Sequence, residues 1–515
     1  MPIHSKRDLG AMEAQKDKNF ENHFIEVQNL QKIIDSDSDI VYGLKGSGKT
    51  ALCRALTEIN KENYLAAKLI NLDSISFLQI HTALKVLKET TKKEVVNIAS
   101  KTWYNVLMIY GIETFATTLS KHDLLKDEIN AFVRKKMYTN SESNSRIHTF
   151  LLNLILRIKE LGYENTQEET PFGLTRSQFE EINKPLDDEL YKLLTECKKR
   201  LSSGKKKILL CLDGFDSIID HTEDSRKAIF SGLVDAIYKC AKDESISDNF
   251  CFKVFLPREL TEDVKIVHFD ADKFIFNNHF LNWTTVEFKE LIIKRLSPYS
   301  RTKSKNFTDI WNEHLPEKIY NAVHSTEENT LDYILRHTLY RPRHLLIHLQ
   351  YIFDEWDAKH SSQKVDPSSI PKIVCQTNSI LGELIAAELE YAIAGITQFL
   401  HSFNSVSCTM KFSYFKDRMK RMFGIQDIIE ERDLFDKLYN IGIIGYFKKD
   451  EFTRKKTNSI GCSFAYANNQ TSRKIFNSMD EDDIVVLSPV FREYCNCDYS
   501  NYGYIYQRKP MQQSI

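Results

Sequence analysis

Apolar residues along the first part of the chain fall into blocks of changing period. Phe24, Ile25, Val27, Leu30, Ile33 and Ile34 fit a short helix, and the polar turn from Asp35 to Asp39 leads into Asp39-Ile40-Val41-Tyr42, an apolar run that predicts a strand. Eight residues, Gly43 to Thr50, separate that run from Ala51, Leu52, Ala55, Leu56 and Ile59, which repeat at helical spacing. Leu65 to Leu72 predicts a second strand, ending at the helix N-cap pair Asp73-Ser74. Strand, helix and strand of these lengths suit a parallel sheet with right-handed crossovers.

From Phe77 to Leu161 the pattern is helical throughout, with apolar blocks at Trp103–Tyr110 and Phe150–Ile158 and a single glycine, Gly111. It predicts a helical insertion over about residues 76–165. The polar stretch from Glu164 to Lys184, with Pro171, Gly173 and then Pro185, predicts a loop carrying a short helix from Ser177. A helix over Asp187–Leu201 is expected to stop at Ser202-Ser203-Gly204. Ile208 to Leu212 is a continuous apolar run, the pattern of a central parallel strand buried on both faces, and it ends in Asp213-Gly214-Phe215-Asp216. A helix (Arg226–Lys242) and a fourth strand (Phe250–Leu256) follow, the strand ending in Pro257-Arg258-Glu259; Val264–Phe269 and Phe274–Phe276 are short extended runs that would finish the sheet.

Beyond Asn282 the pattern turns helical again. Val286, Phe288, Leu291, Ile292 and Leu296 follow Trp283-Thr284, a helix is expected over Asp332–Leu339, and Tyr340-Arg341-Pro342-Arg343-His344 places a proline in a first helical turn. After Pro371 a long helix (Leu384–Phe403) and two more (Phe412–Phe423, Leu434–Ile441) are expected, the last ended by Gly442. Ile443–Phe447 reads as a strand, Ser463–Tyr466 as its hairpin partner and Ile484–Leu487 as a third strand. The predicted fold is thus an α/β core of parallel strands flanked by helices over residues 1–276, a helical lid over 277–370 and a winged-helix-like C-terminal domain over 371–515.

Composition narrows the class. A chain of 515 residues holds two to four domains. The 70 Lys plus Arg nearly balance the 71 Asp plus Glu, so no global field draws the chain to nucleic acid or acidic lipid. The ten cysteines are scattered; the close pair Cys495-Asn496-Cys497 lacks a second pair at zinc spacing, and Cys211 lies in an apolar run as a buried thiol. A reducing cytosol follows as the expected compartment. Met1 to Asp17 is charged and unlike a signal sequence, and no run of about 18 apolar residues predicts a membrane span. The fifteen histidines show neither metal spacing nor a paired nucleophile.

The chemistry concentrates in Gly43-Leu44-Lys45-Gly46-Ser47-Gly48-Lys49-Thr50, which fits G-x-x-x-x-G-K-[ST]. Glycines let backbone N–H groups converge on phosphate oxygens, and the helix that follows presents its positive end. Gly43, Lys45, Gly46, Ser47, Gly48, Lys49, Thr50 and Ala51 are the expected ATP-binding residues, with Lys49 on the β- and γ-phosphates and the Thr50 hydroxyl on Mg²⁺. Asp213 ends a central strand, where ligands bind in open α/β sheets, and would accept the same Mg²⁺ opposite Thr50. Asp216 would orient or deprotonate the attacking water; the alternative is that both aspartates cap the next helix. Arg258 lies just past a strand and within reach of a γ-phosphate. Arg341 and Arg343 start a helix, where positive charge opposes the helix dipole unless a phosphate is near. The predicted hairpin tip, Lys448 to Lys456, holds five basic and two acidic residues. Contact with nucleic-acid phosphates, a solvated wing and a protein contact all remain open for it.

The order GLKGSGKT, LDGFD, FLPREL, NWTTVEFKELIIKRL and YRPRHLL resembles a family of bacterial P-loop ATPases near the STAND and AAA-like groups, which include NACHT and origin-recognition types. Leu9 to Ala14 is similar to a short segment that often opens its members. The resemblance implies nucleotide-dependent oligomerisation or switching, lid arginines that sense the γ-phosphate, and an effector protein partner, since several relatives look like components of anti-phage defence. One departure matters. STAND relatives usually carry D-[GS]-x-D-E, and Ser217 stands here in the glutamate's place, which implies slow or conditional hydrolysis. The leading expectation is a cytoplasmic, homo-oligomeric regulatory ATPase. The alternatives are a DNA-stimulated ATPase using the winged-helix region, and a scaffold that binds nucleotide without turning it over.

Overall fold

The computed structural model describes residues 7–36, 38–71, 92–137, 176–201, 206–215, 223–258, 278–321, 326–360, 363–390, 392–448, 464–465 and 475–497. The chain divides into two compact units, one of Gln28–Lys45 and Lys49–Leu281, the other of Met1–Val27, Gly46–Gly48 and Asn282–Ile515. Among the described residues no helix is long and apolar enough to cross a membrane.

The first unit is an α/β fold built on a parallel sheet flanked by helices. Strands β1 (Ser38–Gly43), β2 (Ala66–Asn71), β3 (Ile208–Asp213), β4 (Phe250–Pro257) and β5 (Asn278–Phe280) form one sheet in the order β2-β3-β4-β1-β5. Every pairing in it is parallel. Parallel strands covered on both faces need apolar side chains in both directions, and β3 supplies them. Ile208, Leu210 and Leu212 join a cluster with the helices Lys92–Ala116, Leu124–Met137, Arg176–Leu201 and Glu223–Lys242. Cys211, pointing the other way, meets Cys53 of the helix that follows the glycine loop. The described helices of the expected insertion therefore cover one face of the sheet. Gly232 allows this: a Cβ there would come within 2.4 Å of the Ala99 Cβ.

Three expectations change in this unit. The helix begins at Arg176 and runs to Leu201 through Pro185, so the expected loop is shorter; the proline forgoes one backbone bond within a helix long enough to continue. The sheet's fifth strand is Asn278–Phe280; Val264–Phe269, Phe274–Phe276 and the cap pair Asp73-Ser74 lie outside the described residues. The expected short N-terminal helix is confined to Leu30–Asp35, and Phe24, Ile25 and Val27 precede it without helical structure.

One buried charge pair sits inside the sheet. Lys253 of β4 stands in register with Asp39 of β1 and pairs with its carboxylate, both side chains having 0% exposure. The ammonium also donates to the Ser36 carbonyl at 2.6 Å, and His279 of β5 lies 3.0 Å from the second Asp39 oxygen. Burial works to raise the Asp39 pKa, but the His279 hydrogen bond and the Lys253 charge together hold it below the usual carboxylate range.

In the second unit, Thr284 accepts from the Glu287 N–H at 3.3 Å while the Glu287 carboxylate accepts from the Thr284 N–H at 2.6 Å, a capping box that starts the helix Thr285–Leu296. The next expected helix spans Thr330–Arg336, not Asp332–Leu339, because Leu339 and Tyr340 adopt φ of 50° and 51°. Pro342 opens the helix Pro342–His360 as expected. Pro371 lies inside the first turn of Ser369–Glu390, where a missing N–H breaks no bond. The expected long helix Leu384–Phe403 is broken. It stops at Glu390 and resumes at Ile396, after Gly395 at φ 84°, because the Glu390 carboxylate accepts the Gly395 and Thr397 N–H groups at 2.6 and 2.8 Å.

The C-terminal part combines helices with a small sheet. Helices Phe412–Phe423 and Ile428–Ile441 end at Gly424 and Gly442, both left-handed caps. A three-stranded antiparallel sheet accompanies them, with Thr409–Lys411 and Ile444–Phe447 on either side of Ile484–Leu487. The partner of Ile444–Phe447 is thus Ile484–Leu487; Phe464 and Ala465 join no strand, and Ser463 and Tyr466 lie outside the described residues.

Replacing Asp39 tests the buried pair. Asp39→Asn leaves a buried ammonium without its counter-ion, and chemical denaturation at pH 7 is expected to read a loss of about 3–5 kcal/mol. The native Asp39 titrates below its unfolded value, so its stabilisation is complete at neutral pH and fades as pH falls through that lowered value. The gap between wild type and Asp39→Asn should close in that acid window.

Candidate functional site

β1 ends at Gly43 and the next helix starts at Lys49, so the intervening chain must turn tightly at the sheet's edge. Gly46 and Gly48 take φ of 78° and 99°, conformations that a Cβ disfavours. Lys49 is buried, and its ammonium donates to the carbonyls of Gly43 and Leu44 at 2.9 and 3.3 Å. Ser47 is 4% exposed, and its hydroxyl has no hydrogen-bond partner among the described residues. Lys45 and Ala51 are half-buried on either side.

Thr50 and Asp213 meet. The Thr50 hydroxyl donates to the Asp213 carboxylate at 2.6 Å across 163 residues of sequence. The sheet order explains the meeting, since β4 alone separates β1 from β3 and all three run in one direction. A hydroxyl and a buried carboxylate side by side form a hard oxygen donor set of the kind Mg²⁺ takes. With the buried Lys49 ammonium of the same unit, these two residues fit a phosphate-bearing ligand with its cation.

The expected arginines separate. Arg258 follows β4 directly and is buried. Arg341, 1% exposed, pairs with Glu388 at 3.2 Å, and its Nε and Nη2 have no partner among the described residues. Arg343 reaches the glycine loop. Its backbone N–H donates to the Gly46 carbonyl at 3.4 Å, and a Cβ on Gly46 would lie 3.3 Å from the Arg343 Cβ. The left-handed pair Leu339-Tyr340 sets up this divergence just before the helix. It is held by the Tyr340 N–H on the Thr338 hydroxyl at 3.1 Å and by Phe288 edge-on to the Tyr340 ring. Asp216 lies outside the described residues.

Sequence reasoning missed Trp283. Its indole N–H donates to the Ser47 carbonyl at 2.8 Å, and its ring stacks on Phe288 at 5.2 Å. The available signal was an aromatic donor placed directly before a capping threonine. Nearby, burial and the Arg341 charge push the His344 pKa well down, so the ring stays neutral while bonded to the Thr338 carbonyl at 2.9 Å.

Residues 286–372 match a family described as the FunZ-associated C-terminal helical domain. No curated protein matches the chain. Among solved structures, a Walker-type ATPase of Pyrococcus abyssi is similar at 11% identity and a TM-score of 0.39, covering 87% of this chain and 94% of that one. The ORC2 protein of Aeropyrum pernix, in ADPNP–ADP complexes, follows at 10% identity and 0.38, covering 93% and 89%. The ORC1 protein of the same organism, in complex with DNA, reaches 9% and 0.32, covering 84% and 91%. At these scores the likenesses carry no functional argument.

The two lid arginines should separate in experiment. Arg341→Ala removes a buried guanidinium together with its pair to Glu388 and is expected to lower the melting temperature, whereas Arg341→Met, which keeps the buried volume, lowers it less. Arg343→Ala should leave the melting temperature near wild type and weaken binding of inorganic pyrophosphate, measured by calorimetry.

Proposed function

We propose that the chain is a regulatory ATPase that binds ATP with Mg²⁺ on the glycine loop, hydrolyses it slowly and uses the cycle as a switch over a protein partner. The observation that carries the reading is the Thr50–Asp213 hydrogen bond beside the buried Lys49 ammonium, at the end of a loop with two positive-φ glycines. Mg²⁺, when bound, supplies positive charge at the phosphates, and Thr50 and Asp213 would hold it. Lys49 binds phosphate oxygens and neutralises their charge. Arg343, at the loop tip, is the arginine better placed to sense a third phosphate. Asp216 takes the proton of the attacking water, without the glutamate that relatives place next to it. Catalysis on this reading is positioning and electrostatics, with no covalent step on the protein.

The C-terminal module favours a protein partner over duplex DNA. In helix-turn-helix modules the second helix enters the major groove, against a phosphate backbone. Here that helix, Ile428–Ile441, exposes Ile428 and Ile429, with Glu430 and Asp433 beside them. Two of the four basic residues of the preceding helix are already paired with acids, Lys416 with Glu481 and Lys420 with Glu431 at 3.1 Å. An apolar and acidic tip suits a protein surface. The setting proposed from the resemblance is bacterial anti-phage defence, with a homo-oligomer controlling an effector.

Lys49→Ala is expected to weaken ATP binding by at least about 100-fold, a loss of roughly 3 kcal/mol for charge-assisted bonds at a phosphate. Unchanged binding and turnover in that variant would exclude the loop as the site. Asp216→Asn should keep ATP affinity while phosphate release falls to background; normal release would remove Asp216 from the reaction.

A further inference from the structure

Gly46, Ser47 and Gly48 belong to the same compact unit as Trp283 and Arg343. Two carbonyls of this tripeptide are gripped from one side, Ser47 by the Trp283 indole N–H at 2.8 Å and Gly46 by the Arg343 backbone N–H at 3.4 Å. A trans peptide is planar, so its C=O and N–H point in opposite directions. Fixing the Ser47 carbonyl therefore fixes the N–H of Gly48, and fixing the Gly46 carbonyl fixes the N–H of Ser47. Both N–H groups are directed away from Trp283 and Arg343.

The grip is rigid. Trp283 is 7% exposed and stacked on Phe288, which itself is wedged against Tyr340. Pro342 has no N–H, so the Arg343 N–H is the first donor its helix offers, and Gly46 satisfies it. A Cβ on Gly48 would stand 3.7 Å from the Trp283 ring, so the indole lies flush against the backbone it holds. A separate observation points to a ligand on this tripeptide: the Ser47 hydroxyl is buried and without a partner among the described residues.

We propose that Trp283 is a positioning residue for phosphate binding: by holding the Ser47 carbonyl it aims the Gly48 N–H at phosphate oxygens, as the Arg343 main chain aims the Ser47 N–H. Trp283 touches no part of the ligand. The proposal rests on the glycine loop being the ATP site. Successive backbone N–H groups turned to one side form an anion nest, whose strength depends on their convergence. Whatever displaces Trp283 from Ser47 lowers phosphate affinity without entering the site, and by reciprocity bound phosphate holds Trp283 in place.

The test uses the full chain and the substitution Trp283→Phe, which keeps an aromatic ring and removes the donor. Calorimetry with ATP and with inorganic pyrophosphate should give about a three- to tenfold weaker affinity for both, the net worth of one hydrogen bond. The melting temperature without ligand should fall only slightly, for the buried hydrogen bond and volume removed, so the affinities are compared at a temperature where both proteins are folded. Wild-type affinity for both ligands, or a loss confined to ATP, overturns the proposal, the second because the effect would then lie at the nucleoside. A measurement on the unaltered protein covers the case in which Trp283→Phe folds poorly. Pyrophosphate should slow hydrogen exchange at the Ser47 and Gly48 amides, and unprotected amides in the presence of bound pyrophosphate overturn the proposal. If wild type binds neither ATP nor pyrophosphate while folded, the reading of the loop itself has failed.

Discussion

Parallel pairing of β3, β4 and β1 is the constraint on which the rest depends. β4 is paired on both sides, Lys253 standing between Asp39 of β1 and Cys211 of β3. Strands in one direction must end at one edge, so Gly43, Asp213 and Arg258 all emerge there, although they are far apart in sequence. The Lys253–Asp39 pair makes the register expensive to change. A slip of one residue would turn every side chain to the opposite face and leave two buried charges apart. The Thr50–Asp213 contact is a consequence of that register.

Much of this was legible in the amino-acid sequence. Continuous apolar runs marked β1, β3 and β4 because strands covered on both faces have no polar side to confuse the pattern. The helix Phe412–Phe423 and the strand Ile484–Leu487 were legible to the residue, the first through its period and the glycine that ends it, the second as an apolar run after a charged turn. What escaped reading were features decided elsewhere in the chain. Pro185 and Pro371 looked like breaks, but a proline in a first turn breaks no bond and one in a long helix is outvoted by its neighbours. Thr409–Lys411 is too short to show a period of its own and exists because Ile484–Leu487 has an edge to pair.

The site divides in the same way. The loop and Asp213 carry their chemistry in their residue types and positions. Trp283 does not, because its partner is a carbonyl 236 residues away, and a carbonyl has no signature in a sequence. Arg341 and Arg343 look equivalent in the motif, yet one is buried against Glu388 and the other lies on Gly46. Two residues along a helix turn a side chain by more than half a circle, and the strained pair before Arg341 decides which of the two faces the loop.

The bonds that Lys49 already makes have a consequence for selectivity. Its ammonium holds the carbonyls of Gly43 and Leu44, so the loop solvates its own cation. A ligand recruits that cation only by offering oxygens that compete with two amide carbonyls in a buried place. Phosphate oxygens carrying formal charge meet that standard, because charge-assisted bonds are about twice as strong as neutral ones. A sugar hydroxyl or a water does not. On the proposed reading, the loop's own bonds to Lys49 therefore set a threshold of charge that a ligand has to exceed.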